Sequence, residues 1–546
     1  MAERDQVFDY VIVGGGSAGC VLANRLSADE NASVAVLEAG PRDWNPLIHI
    51  PIGIIGLMWS KMFNWAYYTA PQTRLANRRL FWPRGKTLGG SSSVNAMCYT
   101  RGNAADYDRW AADGNDGWGY RDMLAYFRKS EGFEDGANEY HGDAGGYRVS
   151  RGRHNSPLNE KFIAAAQACG YPRNDDFGGA TDVGVGLYNV AQDNGRRCSN
   201  ADAFLHPIAH RKNLTVITRA RANRLTFEGR RASGVVYRKG WFGGERTIHA
   251  RREVLLCGGA INTPQLLLLS GVGPRDQIEP HGITLHHELP GVGRNLQDHL
   301  DVSVIDREKT TLSLRLSAKF VFLQAPVALW DYLRHGRGWL ASNVAESGGF
   351  VSSTDNPKLG DLQLHFIPTI EQDHGHQMRN TIRYHGYTLR ICDLRPRSRG
   401  HIGLTSADPK ADPYIDPNYL DDPQDLAQLV TAVKIGRRIM RSPPLAEHRD
   451  TELEPGEEIE DDAAIEHYVR RRAETIYHPV GTCKMGQGED AVVDERLRVR
   501  GLDALRVVDA SIMPTIVGGN TNAPTTAIAE KAADMIIADR AADTGG

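Results

Sequence analysis

Three glycines near the amino terminus have the spacing of a dinucleotide-binding turn. Gly14, Gly16 and Gly19 form the pattern G-x-G-x-x-G directly after an apolar run. The first glycine permits a tight turn, the second lets the backbone approach a pyrophosphate, and the third lets a helix pack against a strand. We therefore predict that Gly14, Gly16, Ser17, Ala18 and Gly19 bind dinucleotide phosphates. A glycine-rich turn without a ligand is the alternative.

An acidic residue completes this pattern. Glu38 ends the next apolar run, about twenty residues after the last glycine, where a carboxylate can accept hydrogen bonds from both ribose hydroxyls. An acid at this place disfavours a 2′-phosphate, and therefore NADP. Glu38 and Ala39 are accordingly predicted to contact the nucleotide. The pattern by itself does not distinguish NAD from FAD.

The elements that must position this turn form one predicted βαβ unit. Its strand, helix and strand cover residues 8–13, 20–27 and 32–38. Residues 213–256 predict a meander of short strands that ends in a buried strand, and an apolar helix follows at 262–270. The βαβ unit and the meander together predict a Rossmann-like domain of the α/β class.

A second architecture is predicted between residues 300 and 464, where apolar and polar residues alternate in several runs. Such alternation is typical of an antiparallel sheet with one covered face, so the inserted domain is predicted to be α+β. The nucleotide-binding domain is then predicted to consist of three segments, at residues 1–160, 211–300 and 465–546. A cap segment at 161–210 follows the first of them, and a substrate-binding domain at 301–464 follows the second.

Composition excludes several classes of function. The chain has 546 residues, with 64 lysines and arginines against 67 aspartates and glutamates, so its net charge of −3 gives no basic field for nucleic acid. The seven cysteines never occur as C-x-x-C, which favours a reducing compartment, and no metal site is predicted. The longest apolar run, at 47–59, is shorter than the ~20 residues of a membrane span.

The chain is therefore predicted to be cytoplasmic, and peripheral contact with the inner face of a membrane is left open. The apolar run at 47–59 has two interpretations: it packs under or over the nucleotide domain, which we favour, or it touches a membrane to meet a quinone. Trp330 and Trp339 either line a substrate channel or belong to the core, and we favour the core. Glu346 is interpreted as a structural carboxylate rather than a cavity residue.

Longer motifs distinguish the two dinucleotides. The runs PRGKTLGGSSSVN at 83–95, GAINTPQLLLLSGVG at 259–273 and YHPVGT at 477–482 occur in this order, followed by VDAS at 508–511 and NTNAP at 520–524. These runs resemble the signatures of the glucose–methanol–choline (GMC) flavoprotein oxidoreductases.

Within that family, further runs at 45–49, 81–87, 342–350 and 472–479 are most similar to the FAD-dependent, membrane-associated aliphatic alcohol dehydrogenases of bacterial alkane degradation. This resemblance implies that the nucleotide-binding segments form an FAD-binding domain. It also implies cofactor contacts from a further set of residues: Gly90, Ser91, Asn95, Ala222, Asp509, Ala510, Asn520 and Thr521. Some members hold FAD covalently through a histidine at the position of Val94, and a valine side chain cannot form that bond, so non-covalent FAD is predicted.

The same resemblance assigns the catalytic pair. His478 is the implied general base, and an imidazole suits that role because its unperturbed pKa of ~6.5 lies near working pH. Asn520 is the implied positioning residue, since an amide cannot act as a base but can orient a substrate oxygen. Asn522, two residues further on, is the competing candidate for that role.

The activity implied by the resemblance is oxidation of a primary, aliphatic and fairly apolar alcohol to an aldehyde. Hydride would pass to flavin N5 and electrons onward to a quinone or another carrier. Two alternatives from the same family stay open: an alcohol oxidase that uses oxygen and forms hydrogen peroxide, and an FAD-containing hydroxynitrile lyase. An FAD-stabilised binding protein is disfavoured by the His478–Asn520 pair. No group of carboxylates near the motifs suggests a cationic substrate.

Overall fold

The computed structural model describes residues 6–240, 243–317, 320–354, 356, 359–375 and 377–544. One sheet of seven strands organises the part of the chain that carries the glycine turn. Its strands lie in the order Leu214–Thr218, Val34–Glu38, Gln6–Val13, Glu245–Leu256, Arg231–Lys239 and Ala220–Glu228, with Leu505–Val507 also paired to Glu245–Leu256. We call this the first sheet.

The middle of the first sheet is parallel, and the meander at one side is antiparallel. Tyr10, Val11 and Ile12 are buried in one apolar cluster with residues of the helices that cover these central strands. The covering helices include Ser17–Leu26 and Asn522–Thr544, which pack against each other. The predicted βαβ unit and meander are thus confirmed, and the first helix begins at Ser17 rather than at residue 20.

A second, antiparallel sheet forms the core of the other half of the molecule. Its order is Ser347–Val351, Leu362–Ile367, Gly386–Asp393, Leu300–Glu308 and Arg449–Glu454, with Glu474–Thr475 also paired to Leu300–Glu308. The helix Pro423–Met440 packs across this second sheet. The predicted combination of an α/β domain with an inserted antiparallel sheet is confirmed.

The start of the segment between the first two nucleotide-binding segments joins this second core. Leu158 and Phe162, on the helix Pro157–Ala168, are buried in the same cluster as Leu364 and Leu389 of the second sheet. We therefore propose that only the first half of residues 161–210 belongs with the substrate-binding unit, because Val190, Phe204 and Ile208 of the second half are buried in the core of the first sheet.

The structure has further helices and strands besides those that define the two cores. Among the described residues, no helix has the length and apolar character to cross a membrane. The other α-helices are Pro46–His49, Ile54–Leu57, Ala104–Ala112, Tyr120–Ser130, Gly259–Leu269, Arg275–Ile278, Ala325–His335, Met378–Arg383, Pro443–Ala446 and Asp462–Arg472. The other strands are Tyr67–Tyr68, Phe81–Trp82, Glu131–Phe133, Tyr147–Arg151, Gly184–Leu187, Asn189–Val190, Gln192–Asp193, Arg196–Arg197, Val272–Gly273, His287–Glu288, His401–Gly403 and Tyr414–Asp416.

Candidate active site

The glycine turn lies at the carboxyl edge of the parallel strands. Val13 is in register with Leu37 on one side and Leu256 on the other, so the chain leaves the sheet at a place bordered by two strand ends. Gly14 has a φ of +109°, and a Cβ on it would lie 2.4 Å from the carbonyl oxygen of Cys257. Only glycine therefore permits this turn.

Gly19 has a different role from the rest of the turn. A Cβ on Gly19 would lie 1.9 Å from the carbonyl oxygen of Gly14, so this glycine lets the helix Ser17–Leu26 pack against the strand before it. Gly19 does not line the cavity described next, in agreement with the packing function predicted for the third glycine.

A continuous cavity of about 710 Å³ extends from the glycine turn to His478. Its size falls within the range of about 300–1,000 Å³ that is typical of small-molecule and cofactor sites. Every predicted cofactor-binding residue except Gly19 lines it, namely Gly14, Gly16, Ser17, Ala18, Glu38, Ala39, Gly90, Ser91, Asn95, Ala222, Asp509, Ala510, Asn520 and Thr521. The structure thus brings these residues, which are scattered over the whole chain, to one cavity.

The narrow part of the cavity is suited to a pyrophosphate. Gly90, with a φ of +55°, faces Gly16, and a Cβ on Gly90 would lie 2.7 Å from the Gly16 Cα. The first turn of the helix Ser17–Leu26 begins beside this pair, and helix amino termini offer backbone N–H groups to phosphates. The two glycines are in backbone contact and both line the cavity, so a dinucleotide can approach the helix amino terminus without meeting a side chain there, and these residues fit FAD.

Glu38 is buried at the end of its strand with both carboxylate oxygens in use. One oxygen accepts from the Gly40 N–H at 2.7 Å and the other from the Gly15 N–H at 2.9 Å, while burial raises the pKa of Glu38 to about 7. A carboxylate has about four lone-pair sites, so acceptor capacity is left for ribose hydroxyls. The carboxylate thus also fixes the backbone of the glycine turn.

Asp509 is buried and organises a neighbouring helix end. Its carboxylate accepts from the Gly259 N–H at 2.8 Å, the Thr263 hydroxyl at 2.6 Å and the Ser511 N–H at 2.8 Å. The carboxylate therefore holds the start of the helix Gly259–Leu269 against the cavity wall. At the position of the covalent histidine of some family members, Val94 packs against Ile48 and has no atom that could bond to a flavin.

His478 and Asn520 meet at the other end of the cavity. Asn520 Nδ2 lies 3.3 Å from His478 Nε2, and Asn520 Oδ1 accepts from the Thr100 hydroxyl at 3.1 Å and from Gln363 Nε2 at 3.0 Å. These two donors fix the orientation of the amide, so its N–H points at the imidazole. Since an amide nitrogen only donates, His478 Nε2 is the acceptor and carries no proton.

The second imidazole nitrogen of His478 completes this assignment. His478 Nδ1 lies 3.0 Å from Nδ1 of His299, which is fully buried. If Nε2 is unprotonated in the neutral ring, Nδ1 of His478 carries the proton and donates a hydrogen bond to Nδ1 of His299. In this arrangement the single in-plane lone pair of the imidazole, on Nε2, accepts from the Asn520 amide, and a substrate hydroxyl would take the place of that donor.

The backbone of His478 is also held. Its N–H donates to Asp298 at 2.7 Å, and Asp298 accepts hydrogen bonds from the Tyr419 and Thr475 hydroxyls as well. The preceding residue, Tyr477, has a φ of +69°, a conformation that costs energy for a residue with a side chain. The surrounding contacts hold this strained turn and so fix the direction of the imidazole.

Electrostatics keep His478 neutral. Withdrawal from bulk water, together with the neighbouring His299 and Arg84, lowers the pKa of His478 well below the ordinary value of histidine. His365, which also lines the cavity, has its pKa lowered to about 3 by burial. An imidazole in this state can accept a proton from a substrate hydroxyl at neutral pH.

Asn522, the competing candidate, has other partners. Its Oδ1 accepts from the Ser17 hydroxyl at 2.6 Å and its Nδ2 donates to the Tyr147 hydroxyl at 2.6 Å. Asn522 thus joins the start of the last helix to the glycine turn and makes no hydrogen bond to His478.

The cavity beyond His478 has mainly apolar walls, which include Ile52, Met58, Leu314, Leu316, Ile367 and Ile370. Two charged side chains also line this part. Arg390 is bound through two nitrogens to Asp301, at 2.6 and 2.7 Å, and through a third to Glu371, at 2.7 Å. The sequence shows no group of carboxylates near the motifs; in the fold, residues remote from the motifs place Glu371 in the cavity lining and Asp301 behind it, both bound to Arg390.

Sequence reasoning missed four residues of the hydrogen-bonded network: Thr100, Asp298, His299 and Gln363. Asp298 and His299 stand in a polar run, QDH, directly before the strand Leu300–Glu308, and such a run at the start of a buried strand is a usable signal. Thr100 and Gln363 carry no comparable local signal, since their function depends on contacts with Asn520 alone.

Other sequence interpretations have mixed outcomes. Glu346 is a structural carboxylate, as predicted, because it is buried and accepts hydrogen bonds from Ser156, Asn159 and Ser342. Trp339 lines the cavity, whereas Trp330 is 64% exposed, so its assignment to the core is wrong. All seven cysteines are free thiols.

A Rossmann-like sheet, a dinucleotide cavity and a His–Asn pair at its end define a flavoprotein oxidoreductase. Residues 8–301 match the amino-terminal domain of the GMC oxidoreductases and residues 396–529 match their carboxy-terminal domain. The chain belongs to this family and is an FAD-dependent enzyme.

Several known proteins are similar over nearly the whole chain. An "Alcohol dehydrogenase [acceptor]" of Pseudomonas putida is 51% identical over 97% of this chain and 96% of its own length. A mitochondrial choline dehydrogenase of Mus musculus is 43% identical over 97% of this chain and 89% of its own. Among solved structures, pyridoxine 4-oxidase from Mesorbium loti matches with a TM-score of 0.86 and 31% identity, covering 96% of this chain and 98% of that one. A formate oxidase matches with a TM-score of 0.91 and 28% identity, covering 98% and 99%.

Proposed function

We propose that this enzyme oxidises primary, aliphatic and fairly apolar alcohols to aldehydes. The observation that carries the proposal is the position of the His478 imidazole, which lines a cavity with mainly apolar walls and lies 3.3 Å from the Asn520 amide nitrogen. FAD, when bound, supplies the acceptor for the hydride at its N5. The similarity to an acceptor-dependent alcohol dehydrogenase supports the same reaction class.

The chain's own residues have separate tasks in this reaction. The substrate hydroxyl gives its proton to His478 Nε2, and the hydride leaves the carbon atom that bears this hydroxyl. The Asn520 N–H orients the substrate oxygen, and Thr100 and Gln363 hold that amide. The apolar walls exclude water, which strengthens these hydrogen bonds and accommodates an alkyl chain.

The electron acceptor separates two versions of the proposal. We propose that a quinone or another organic carrier accepts the electrons from the reduced flavin. The enzyme would meet a quinone at the inner face of a membrane. The alternative is an oxidase, in which oxygen accepts the electrons. Purified FAD-loaded enzyme is mixed anaerobically with a graded series of primary alcohols, and air is then admitted while the flavin absorbance is recorded. We expect bleaching that persists in air until a quinone is added.

Two other results have definite meanings in this experiment. Rapid recovery in air with formation of peroxide identifies an oxidase. No bleaching by any alcohol of a fully loaded flavin contradicts the redox proposal and favours a lyase that keeps FAD without redox turnover.

A cationic alcohol is the second candidate substrate class, since the mouse relative is a choline dehydrogenase and two acids lie near the cavity. Arg390 binds three of the four oxygens of Asp301 and Glu371, so this group keeps one net negative charge in a cavity whose other walls are mainly apolar. We therefore expect a higher kcat/KM for medium-chain primary alcohols than for choline, measured with the same artificial acceptor. The reverse order would assign the enzyme to cationic alcohols.

The pH dependence follows from the state of His478. Because its pKa is lowered, the neutral, proton-accepting form persists as pH falls through ~6.5, the unperturbed value of histidine. We expect kcat/KM for alcohol-dependent flavin reduction to stay level through this region and to fall only at lower pH. Measurement of flavin reduction over a pH series tests this expectation, and a tenfold loss per pH unit starting near ~6.5 would contradict it.

A further inference from the structure

A group of metal-binding side chains lies outside the cavity. Two histidines and two aspartates form it, and we call them the His–Asp cluster: Asp43, His49, Asp202 and His206. One ligand atom of Asp43, one of Asp202 and one of His206 all lie within 4.8 Å of one another. None of the four residues lines the cavity, so the His–Asp cluster is separate from the candidate active site. Imidazoles and carboxylates are common ligands of Zn²⁺ in proteins.

The Asp43 carboxylate is buried, since only 5% of its side chain is exposed. Its Oδ1 lies 3.1 Å from Nε2 of His206. Its Oδ2 is also buried, and no described residue donates a hydrogen bond to it. A buried carboxylate oxygen without a donor or a cation is unfavourable, because it has lost its contact with water. The environment of Asp43 therefore favours a cation beside it.

His49 directs an unshared electron pair toward the same place. Its Nε2 lies 2.8 Å from the backbone carbonyl oxygen of Asp43, which only accepts, so Nε2 carries the proton. Withdrawal from water lowers the pKa of His49, which favours the neutral ring with its lone pair on Nδ1. This Nδ1 is buried without a hydrogen-bond partner in the described part of the chain, and it lies 4.0 Å from Asp202 Oδ1. Two acceptors that face each other repel unless a cation lies between them.

Asp202 and His206 complete the His–Asp cluster. The Ser199 N–H and hydroxyl donate to Asp202 Oδ2 at 3.1 and 2.8 Å, so Oδ1 is the oxygen that faces the histidines. Asp202 Oδ1 lies 3.3 Å from His206 Nδ1. Arg196 Nη2 lies 3.8 Å from the same oxygen, but 57% of the Arg196 side chain is exposed, so it can turn into water. A metal-bound histidine typically donates its other N–H to a carboxylate, and His206 has a carboxylate at each ring nitrogen.

The dimensions of the His–Asp cluster suit Zn²⁺. This ion binds imidazole nitrogens at ~2.0–2.1 Å and carboxylate oxygens at ~2.0–2.2 Å, so the ligand atoms of a tetrahedral site lie ~3.3–3.5 Å apart. Asp202 Oδ1 is 3.3 Å from His206 Nδ1 and 4.0 Å from His49 Nδ1, which is close to these values. Rotation of the side chains brings the remaining ligand atoms to the ion. The prediction that there is no metal site rested on the spacing of the cysteines, and this cluster contains none.

We propose that the four residues of the His–Asp cluster bind one Zn²⁺ ion. The ion ties the chain that follows the strand Val34–Glu38 to the turn that contains Asp202 and His206. Because Glu38 lines the cavity, the ion braces the edge of the nucleotide site without belonging to it. The His206 nitrogen that binds the ion loses its proton to water, as metal ligands do. In the rival arrangement no ion binds, and a protonated His206 pairs with both aspartates.

Calorimetric titration of the FAD-loaded enzyme with zinc chloride tests this site, after treatment with EDTA and removal of the chelator. We expect one equivalent of Zn²⁺ to bind with a dissociation constant in the micromolar range or below. His206→Gln and Asp43→Asn each remove one ligand, and each is expected to weaken binding by about tenfold or more. The matched control is His335→Gln, because His335 also pairs with an aspartate and its side chain is 41% exposed against 43% for His206. This control is expected to bind Zn²⁺ as the parent enzyme does.

Thermal unfolding and the flavin spectrum complete the test. Zn²⁺ is expected to raise the unfolding temperature of the parent enzyme and of His335→Gln but not that of His206→Gln, because a ligand stabilises only the state that binds it. The flavin spectrum of each variant checks that the fold is kept. Absence of zinc binding by the parent enzyme would overturn the site in favour of histidine–aspartate ion pairs alone. Equal binding by the parent enzyme, His206→Gln and Asp43→Asn would identify an adventitious ion only and would overturn it as well.

Discussion

Replacement of His478 by alanine is expected to slow alcohol-dependent flavin reduction by ~10²–10⁴-fold, the usual contribution of a positioned general base. The variant loses the imidazole that lines the cavity between Asn520 and His299 and that we propose as the proton acceptor. FAD binding is expected to persist, because His478 is one of many residues along the cavity and the glycine turn is untouched. Anaerobic stopped-flow absorbance gives the rate, and the flavin spectrum of the purified variant gives the cofactor content.

His401→Ala is the matched control for this experiment. His401 is half-buried, and its ring lies against Tyr414 at 5.4 Å, away from the residues that line the cavity. We expect it to reduce flavin at the rate of the parent enzyme. A His478→Ala variant that keeps its FAD and its reduction rate would show that another group accepts the proton, with His365 as the next residue to replace.

Replacement of Gly16 by alanine is expected to abolish tight FAD binding while the empty fold survives. Gly16 has a φ of −81°, which alanine adopts freely, and the nearest atom to its Cβ would be the Gly90 Cα at 3.8 Å. The methyl group therefore fits the protein but enters the part of the cavity beside the helix amino terminus, where we expect the pyrophosphate to lie. We expect the FAD dissociation constant to rise by about tenfold or more, which corresponds to ~1.4 kcal/mol.

Titration of the apoprotein with FAD measures this change, and thermal unfolding of the apoprotein checks the fold. Gly119→Ala is the matched control, since Gly119 also precedes a helix with a negative φ of −66° and lies outside the cavity. If Gly16→Ala binds FAD as tightly as Gly119→Ala does, the glycine turn is not the phosphate site.

The parts of the fold that sequence reasoning predicted are those encoded by local pattern. The βαβ unit has apolar runs with a glycine turn between them, and the meander at 213–256 has short strands with turn residues at each reversal. The order of strands in the second sheet was not predictable. Leu300–Glu308 pairs with Gly386–Asp393 across a long stretch of chain, and such pairing depends on packing rather than on local sequence.

The candidate site divides in the same way. His478 and Asn520 were identified through motifs, whereas Gln363 and His299 act only through the side chains they meet in the folded protein. Trp330 was assigned to the core because aromatic residues at helical spacing usually pack inward. Trp330 is exposed because its helix, Ala325–His335, lies at the surface with none of its residues buried, and the spacing of aromatic residues does not reveal this position.

The strands of the first sheet come from widely separated parts of the chain, which has a consequence for folding during synthesis. These strands come from residues 6–38, from 214–256 and from 505–507, and the loop after the last strand supplies Asp509, Asn520 and Thr521 to the cavity. A ribosome-bound chain lacks these pieces until translation is nearly finished. Cofactor capture is therefore a late step that follows synthesis, and the unfinished nascent domain must be protected from aggregation until its carboxy-terminal strand arrives.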